Sequence, residues 1–320
     1  MEAYFDNAAT TKVFPEVKDL VVKLMEEDYG NPSSLHQKGL DAGHYIKETK
    51  EILAKEWKVD SKEIVLTSGG TESNNLALIG AALANKRSGN RIITSKVEHA
   101  SVSSTMAFLE SLGFEVVYLN VDHQGIVDLE QLEQEVNEDT ILVSVMYVNN
   151  EIGAVEPIQK IAEIIKEKNP KTLFHVDAIQ AFGKYHIYPK RMGIDLMSVS
   201  GHKIHGPKGT GALFIKNRTK VKPIIYGGGQ QDGMRSGTEN VPGFAGFGLA
   251  TKIVYEDLEA RIVRMRAVKD RLTERLKALP DVYINEGEAP HILSVSFVGV
   301  RSEVMLHALE ERQIYVSSGS

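Results

Sequence analysis

The chain has 320 residues, no cysteine, 42% hydrophobic and 25% charged residues. That is long enough for a substantial core and more than one domain, with the composition of a soluble globular protein. A formal net charge of -6 argues against binding to nucleic acid or an anionic membrane, and the absence of thiols excludes disulfides, thiolate metal sites and a cysteine nucleophile within these residues.

The opening residues, Met1 to Asp6, have neither a basic region nor an apolar run. No stretch reaches transmembrane length, so a cytoplasmic protein is expected. Helix is predicted over 33–57, and a short strand over 63–67 ends in Ser68-Gly69-Gly70. A helix over 71–87, a strand over 91–94 and a helix over 101–112 follow. Next come a strand over 115–119, a helix over 128–136 and a strand over 141–147. A helix over 157–168 then leads to the apolar run 173–176, closed by Asp177. Strands separated by helical lengths imply a mostly parallel sheet covered on both faces, with ligands at the carboxyl ends of its strands. A second strand-like run leads from Asp195 to Lys203, and a third over 221–226 runs into the Gly-rich stretch to Thr238. Pro242 opens a long helical region to about Leu279. The run 292–298 alternates at period two as a half-buried strand does, and a helix over 303–312 and a strand over 314–316 complete the chain. These elements divide into a large domain over 14–255 and the start of a small α+β domain over 256–320, with 1–13 packing near it. One strand–helix–strand unit is a thin sheet to stand alone, so the second domain reads as incomplete.

The chemistry gathers on a few of these elements. Asp177 at the end of a buried strand is costly unless a cation meets it, and a pyridinium nitrogen is such a cation. Lys203, in Ser200-Gly-His-Lys-Ile-His-Gly, follows a strand where its amine reaches the same cleft. A carboxylate for a ring nitrogen and a lysine for an aldehyde are the two groups that pyridoxal phosphate chemistry requires of a protein. Lys208 is the rival lysine, but Pro207 puts it in a turn. Ser68-Gly69-Gly70-Thr71 joins a strand to a helix, where free N–H groups favour phosphate and Thr71 also suits an N-cap. Ser200 and His202 complete a phosphate cup. His99 stands after the strand 91–94, where an imidazole can stack on the ring and shuttle protons. Asn150 and Gln180 are candidates for the cofactor's phenolic oxygen, Asn150 also for the substrate, and Asn149-Asn150 alternatively forms a simple turn. The glycines of 227–238 do not fit a dinucleotide fingerprint; a flexible loop or anion binding by Arg235 or Thr238 are the open readings.

With these motifs together, the chain resembles the cysteine desulfurases of the NifS/IscS group I, fold-type I pyridoxal phosphate enzymes of the class-V aminotransferase family. The resemblance spans Tyr4-Phe-Asp-Asn-Ala-Ala-Thr-Thr11, Tyr29-Gly-Asn-Pro-Ser-Ser34, Thr67 to Asn74, Val97-Glu-His99, Val148 to Gly153, Val176 to Gln180, Ser200 to Lys203, Arg235-Ser-Gly-Thr238 and Val316-Ser-Ser-Gly-Ser320. It implies an α/β fold-type I transferase in which Lys203 carries the cofactor, Asp177 meets the pyridine nitrogen and His99 stacks on the ring. Gln180 would meet the phenolic oxygen, Asn150 the cofactor or substrate, and Gly70, Thr71, Ser200 and His202 the phosphate. Thr238 would reach the phosphate of a second subunit's cofactor, which implies a homodimer. The implied reaction converts L-cysteine to L-alanine and passes the sulfur, as a persulfide, to an iron–sulfur scaffold or a tRNA-thiolation protein. In the family a catalytic cysteine on a mobile loop follows the Ser-Ser-Gly-Ser motif, so it is expected just beyond Ser320, as is the arginine that holds the substrate carboxylate. The competing readings are a selenocysteine lyase or an aminotransferase using the same cofactor, and a cofactor-binding scaffold without turnover.

Overall fold

The computed structural model describes residues 2–285 and 287–319, so Ser320 at the end of the last motif lies outside the described residues. In chain order, β1 (Ala3–Tyr4), α1 (Pro15–Glu26) and α2 (Gln37–Trp57) lead to β2 (Ile64–Thr67). Helices and strands then alternate: α3 (Gly70–Asn85), β3 (Arg91–Ser95), α4 (Ala100–Ser111), β4 (Glu115–Leu119), α5 (Leu129–Glu135), β5 (Thr140–Met146), α6 (Ile158–Lys168) and β6 (Leu173–Asp177). Past β7 (Leu196–Ser200) and β8 (Gly211–Ile215) come α7 (Val241–Glu256), α8 (Leu258–Lys277), β9 (Val282–Asn285), β10 (Ser294–Phe297), α9 (Ser302–Glu310) and β11 (Ile314–Tyr315).

A seven-stranded sheet in the order β2-β8-β7-β6-β5-β3-β4 forms the centre. All its pairings are parallel except those of β8, which runs antiparallel to both β2 and β7. Every residue of β5 (Thr-Ile-Leu-Val-Ser-Val-Met) is buried, as expected for a strand covered on both faces. One face of the sheet carries Trp57, Phe174, Phe182, Phe214 and Phe247. The other meets Leu76, Leu78, Met106 and Leu109 from α3 and α4.

The long helix expected from Pro242 to Leu279 is two helices broken at Asp257. The apolar α7 buries most of its residues, and its Gly246 and Gly248 let the backbone approach Val17 of α1 and Thr49 of α2. The charged α8 buries only Leu258, so the two halves have opposite solvent preferences. The expected strand at 221–226 does not form. Pro223 has no N–H for a ladder, and the Lys222 amide bonds instead to the Gly80 carbonyl at 3.0 Å. Two small sheets stand apart from the centre: β10 pairs antiparallel with β9, and β1 pairs parallel with β11. The second pairing ties the first residues of the chain to its last described ones. Among the described residues no helix is long and apolar enough to cross a membrane.

Candidate active site

The carboxyl ends of β6 and β7 converge with the amino ends of α3 and α4, and the polar cluster forms there. Asp177 ends β6 and is 5% exposed. Its Oδ2 accepts the Asn74 side-chain amide at 2.7 Å and its Oδ1 accepts the Ile179 backbone N–H at 3.0 Å. Burial pushes this carboxyl up from the usual range, opposed by those two donors and by the charges of His99 and Lys203. Asn74, fully buried in α3, also donates to Ser101 Oγ at 2.9 Å. His99 caps α4: its Nδ1 accepts the Ser101 amide at 3.1 Å and lies 2.9 Å from the Ser101 hydroxyl. Because Nδ1 is an acceptor here, the ring proton of a neutral His99 sits on Nε2. A continuous chain thus runs His99–Ser101–Asn74–Asp177.

Lys203 lies on the short turn after β7. Its amine donates to the carbonyls of Ala8 at 2.5 Å and Ala9 at 2.7 Å. Burial lowers its pKa, while the carboxylates of Asp6 and Asp177 oppose that. The N-terminal segment clamps this turn: the Thr11 hydroxyl donates to the His202 carbonyl at 2.7 Å and accepts the His205 amide at 2.7 Å. Gln180 also donates to the Ala8 carbonyl, at 2.9 Å, and its Oε1 lies 3.2 Å from His291 Nε2. Gln180 and Lys203 therefore converge on one backbone oxygen. His202 Nδ1 is 3.2 Å from Thr10 Oγ1, and burial takes its pKa down to about 4, so its ring is neutral near pH 7.

At the start of α3 the backbone of Gly69 has φ 149°, and a Cβ on Gly70 would lie 2.1 Å from Ile179 Cδ1 and 3.7 Å from the Ser200 Cβ. A side chain at position 70 would therefore have to displace Ile179. The helix cap is Gly69, not Thr71 as its sequence suggested; Thr71 stands exposed inside the first turn. Thr71 and His99 nevertheless line one open depression with Asn75, Ser101 and Phe108. Glu72 holds the Gly-rich segment to this helix start, accepting Arg235 Nε at 2.8 Å and the Ser68 hydroxyl at 2.5 Å. Arg235 is thus engaged by a carboxylate, and Thr238 beyond it is exposed, outside the cluster around Lys203. Asn150 is half-buried and donates to Glu151 at 2.7 Å, whereas Asn149 caps the turn through its Oδ1. Lys208 is exposed in a turn.

Sequence reasoning placed Asn74 at the end of the Thr67–Asn74 motif but gave it no role, which appears only once its helix is docked on β6. It also missed Lys184, buried beside the cluster, and the half-buried His291.

The family model described as aminotransferase class-V matches residues 3–320. The cysteine desulfurase IscS of Dictyoglomus turgidum is 43% identical, with 100% of this chain and 82% of that protein covered. The cysteine desulfurase IscS of Methanosarcina thermophila is 42% identical, with coverage of 99% and 79%. A solved NifS-like protein superposes with a TM-score of 0.97 at 41% identity over 99% of this chain and 87% of that one. A structure described as SspA in complex with cysteine superposes at 0.84 and 34% identity, with coverage of 99% and 89%.

Proposed function

The chain belongs to the class-V aminotransferase family, an enzyme family that uses pyridoxal phosphate, and on that premise we propose that it is a cysteine desulfurase converting L-cysteine to L-alanine. The observation that carries the reading is the hydrogen-bonded chain that runs from the exposed His99 through Ser101 and Asn74 to the buried Asp177, set opposite the Lys203 amine. Identity above 40% to desulfurases over the whole chain supports it.

The residues fit the cofactor. Asp177 is a buried carboxylate whose hydrogen bonds come from neutral donors, which leaves its charge to be met by a protonated ring nitrogen. Asn74 Oδ1 is buried without a partner. A Cβ on Gly69 would stand 4.0 Å from the Ser200 hydroxyl, so glycine there leaves room beside Ser200 at the start of α3, where helix N–H groups favour an anion. When bound, pyridoxal phosphate supplies an aldehyde for the substrate amine and a ring that takes up electrons from its α-carbon.

In this reading Asp177 meets the ring nitrogen, Lys203 the aldehyde, His99 the ring face and Gln180 the phenolic oxygen. Gly70, Thr71, Ser200 and His202 hold the phosphate, and Asn150 contacts cofactor or substrate. Burial lowers the pKa of Lys203, which favours the amine form that takes the α-proton, and His99 offers its Nε2 proton for return to the product or the leaving sulfur. Sulfur transfer needs a thiolate, and we assign it to a cysteine in the segment after Ser320. Ser317 donates to Asp6, and Gly319 lies beside Glu151; both places border the Lys203 turn or the Asn150 loop. Thr238 serves the cofactor of a second copy in a homodimer, and the persulfide passes to an iron–sulfur scaffold or a tRNA-thiolation protein.

The test is alanine release from L-cysteine by the purified full-length protein, loaded with pyridoxal phosphate and supplied with a reductant. Alanine and sulfide in equal amounts are expected. Alanine from selenocysteine with cysteine untouched would make it a lyase instead.

A further inference from the structure

Lys184 follows β6 and is 7% exposed. Its ammonium donates to the backbone carbonyl of Lys203 at 2.7 Å. Among the described residues no carboxylate pairs with it. The titratable groups that face it are His202, Lys203 and His205 on the turn after β7, and His291 on the segment before β10. Asp6 and Asp177 face the Lys203 amine instead. A buried ammonium without a counter-charge is expensive, and an apolar side chain of similar length would fill the space without that cost. Lys203 is thereby gripped at both ends: Lys184 holds its carbonyl, and Ala8 and Ala9 hold its amine.

We propose that Lys184 is a positioning residue for Lys203: it fixes the turn that carries Lys203 and sets a second positive charge against the Lys203 amine, which then sheds its proton more readily. A like charge nearby disfavours the protonated form, and only the free amine engages an aldehyde or takes a proton from carbon. Burial brings Lys184 itself down to about 7, with the Lys203 charge adding to that. The effect therefore operates below about pH 7, where Lys184 is charged, and fades above it. The inference rests on the reading of Lys203 as the cofactor lysine.

The experiment is competitive labelling of Lys203 with trace acetic anhydride in the cofactor-free full-length protein, followed by peptide mass spectrometry across pH. With Lys184→Met, labelling of Lys203 at pH 6 to 6.5 is expected to slow about tenfold, the size of a one-unit shift from a like charge, and to converge with wild type above pH 8. Lys184→Arg, charged at every pH, should keep the fast rate at pH 6 and exceed wild type at pH 9. Equal rates for wild type and Lys184→Met at low pH, or a loss of the same size at every pH, overturn the proposal. If Lys184→Met shows no cooperative melting, the Lys184→Arg comparison at pH 9 decides, and equal rates there refute it. Failure of pyridoxal phosphate to give a visible band would instead refute the assignment of Lys203 as cofactor lysine, and the labelling result would stand apart from it.

Discussion

Asp177 pairs a strand-end position with a hydrogen-bond set that leaves its charge unmet. The Ile179 amide and the Asn74 side chain orient the carboxylate, and the proposed partner for its charge is a cationic ring nitrogen. Asp177→Ala should lower turnover of L-cysteine at least a hundredfold, roughly 2.7 kcal/mol or more; an unchanged rate would remove the electron-sink role. Asn74→Ala deletes one donor to a buried carboxylate, a change of about 1.5–3 kcal/mol. Absorbance titration with pyridoxal phosphate should then show binding weakened at least tenfold. Lys203→Ala should abolish the visible band formed with the cofactor, and a retained band would move the attachment to Lys208. Motifs made Lys203, Asp177 and His99 legible in the sequence because each is a chemically distinctive residue at a strand or helix end. Asn74 was not legible, since an asparagine inside a helix acquires meaning only from what the helix is packed against.

The loop between β3 and α4 is tied to β5 by Glu98. One of its oxygens accepts the Ser95 hydroxyl at 2.6 Å and the Met146 amide at 3.0 Å. The other is buried without a partner. Burial raises this carboxyl to about 8, outweighing those donors, with Asp177 and Glu156 adding to the rise. A carboxyl whose folded pKa exceeds its unfolded value of about 4.3 releases its proton more readily when unfolded. Stability from this group is therefore full below the unfolded value and falls as pH rises toward 8. Thermal melts should show the wild type losing stability between pH 5 and 8. Glu98→Gln, which keeps the acceptor and cannot ionise, should lose less; parallel losses in the two proteins would exclude Glu98 as the source. At the same scale, α7 and α8 show how composition decides an element's ending. The sequence reads as one helical region across Asp257, but the mostly apolar residues before it and the charged ones after it seek different surroundings.

At the scale of the molecule, the parallel order of the central sheet places β6 and β7 side by side, so that Asp177 and Lys203 share one edge. Thr238 is exposed, as its proposed contact with a second copy requires. Light scattering of the full-length protein should give a mass twice that of the chain. A monomer at assay concentrations that still turns over cysteine would remove Thr238 from the site. The pairing of β1 with β11 brings Ala8 and Ala9 over Lys203 and carries Ser317 to Asp6, so both ends of the described chain meet at the site.

The alternation of apolar strands with helical lengths was enough to determine an α/β fold, because burial on both faces of a parallel sheet leaves runs of apolar residues that can be read directly. Asp177, His99 and Lys203 were likewise readable as candidates, because each is a distinctive residue type close after or at the end of a strand-like run. Tertiary structure alone decided that backbone oxygens of Ala8 and Ala9 hold the Lys203 amine and that Lys184 holds its carbonyl. Every residue carries a backbone carbonyl, so a site built from carbonyls has no residue-type signature. A buried lysine differs from a surface one only in what surrounds it, which packing across distant segments supplies.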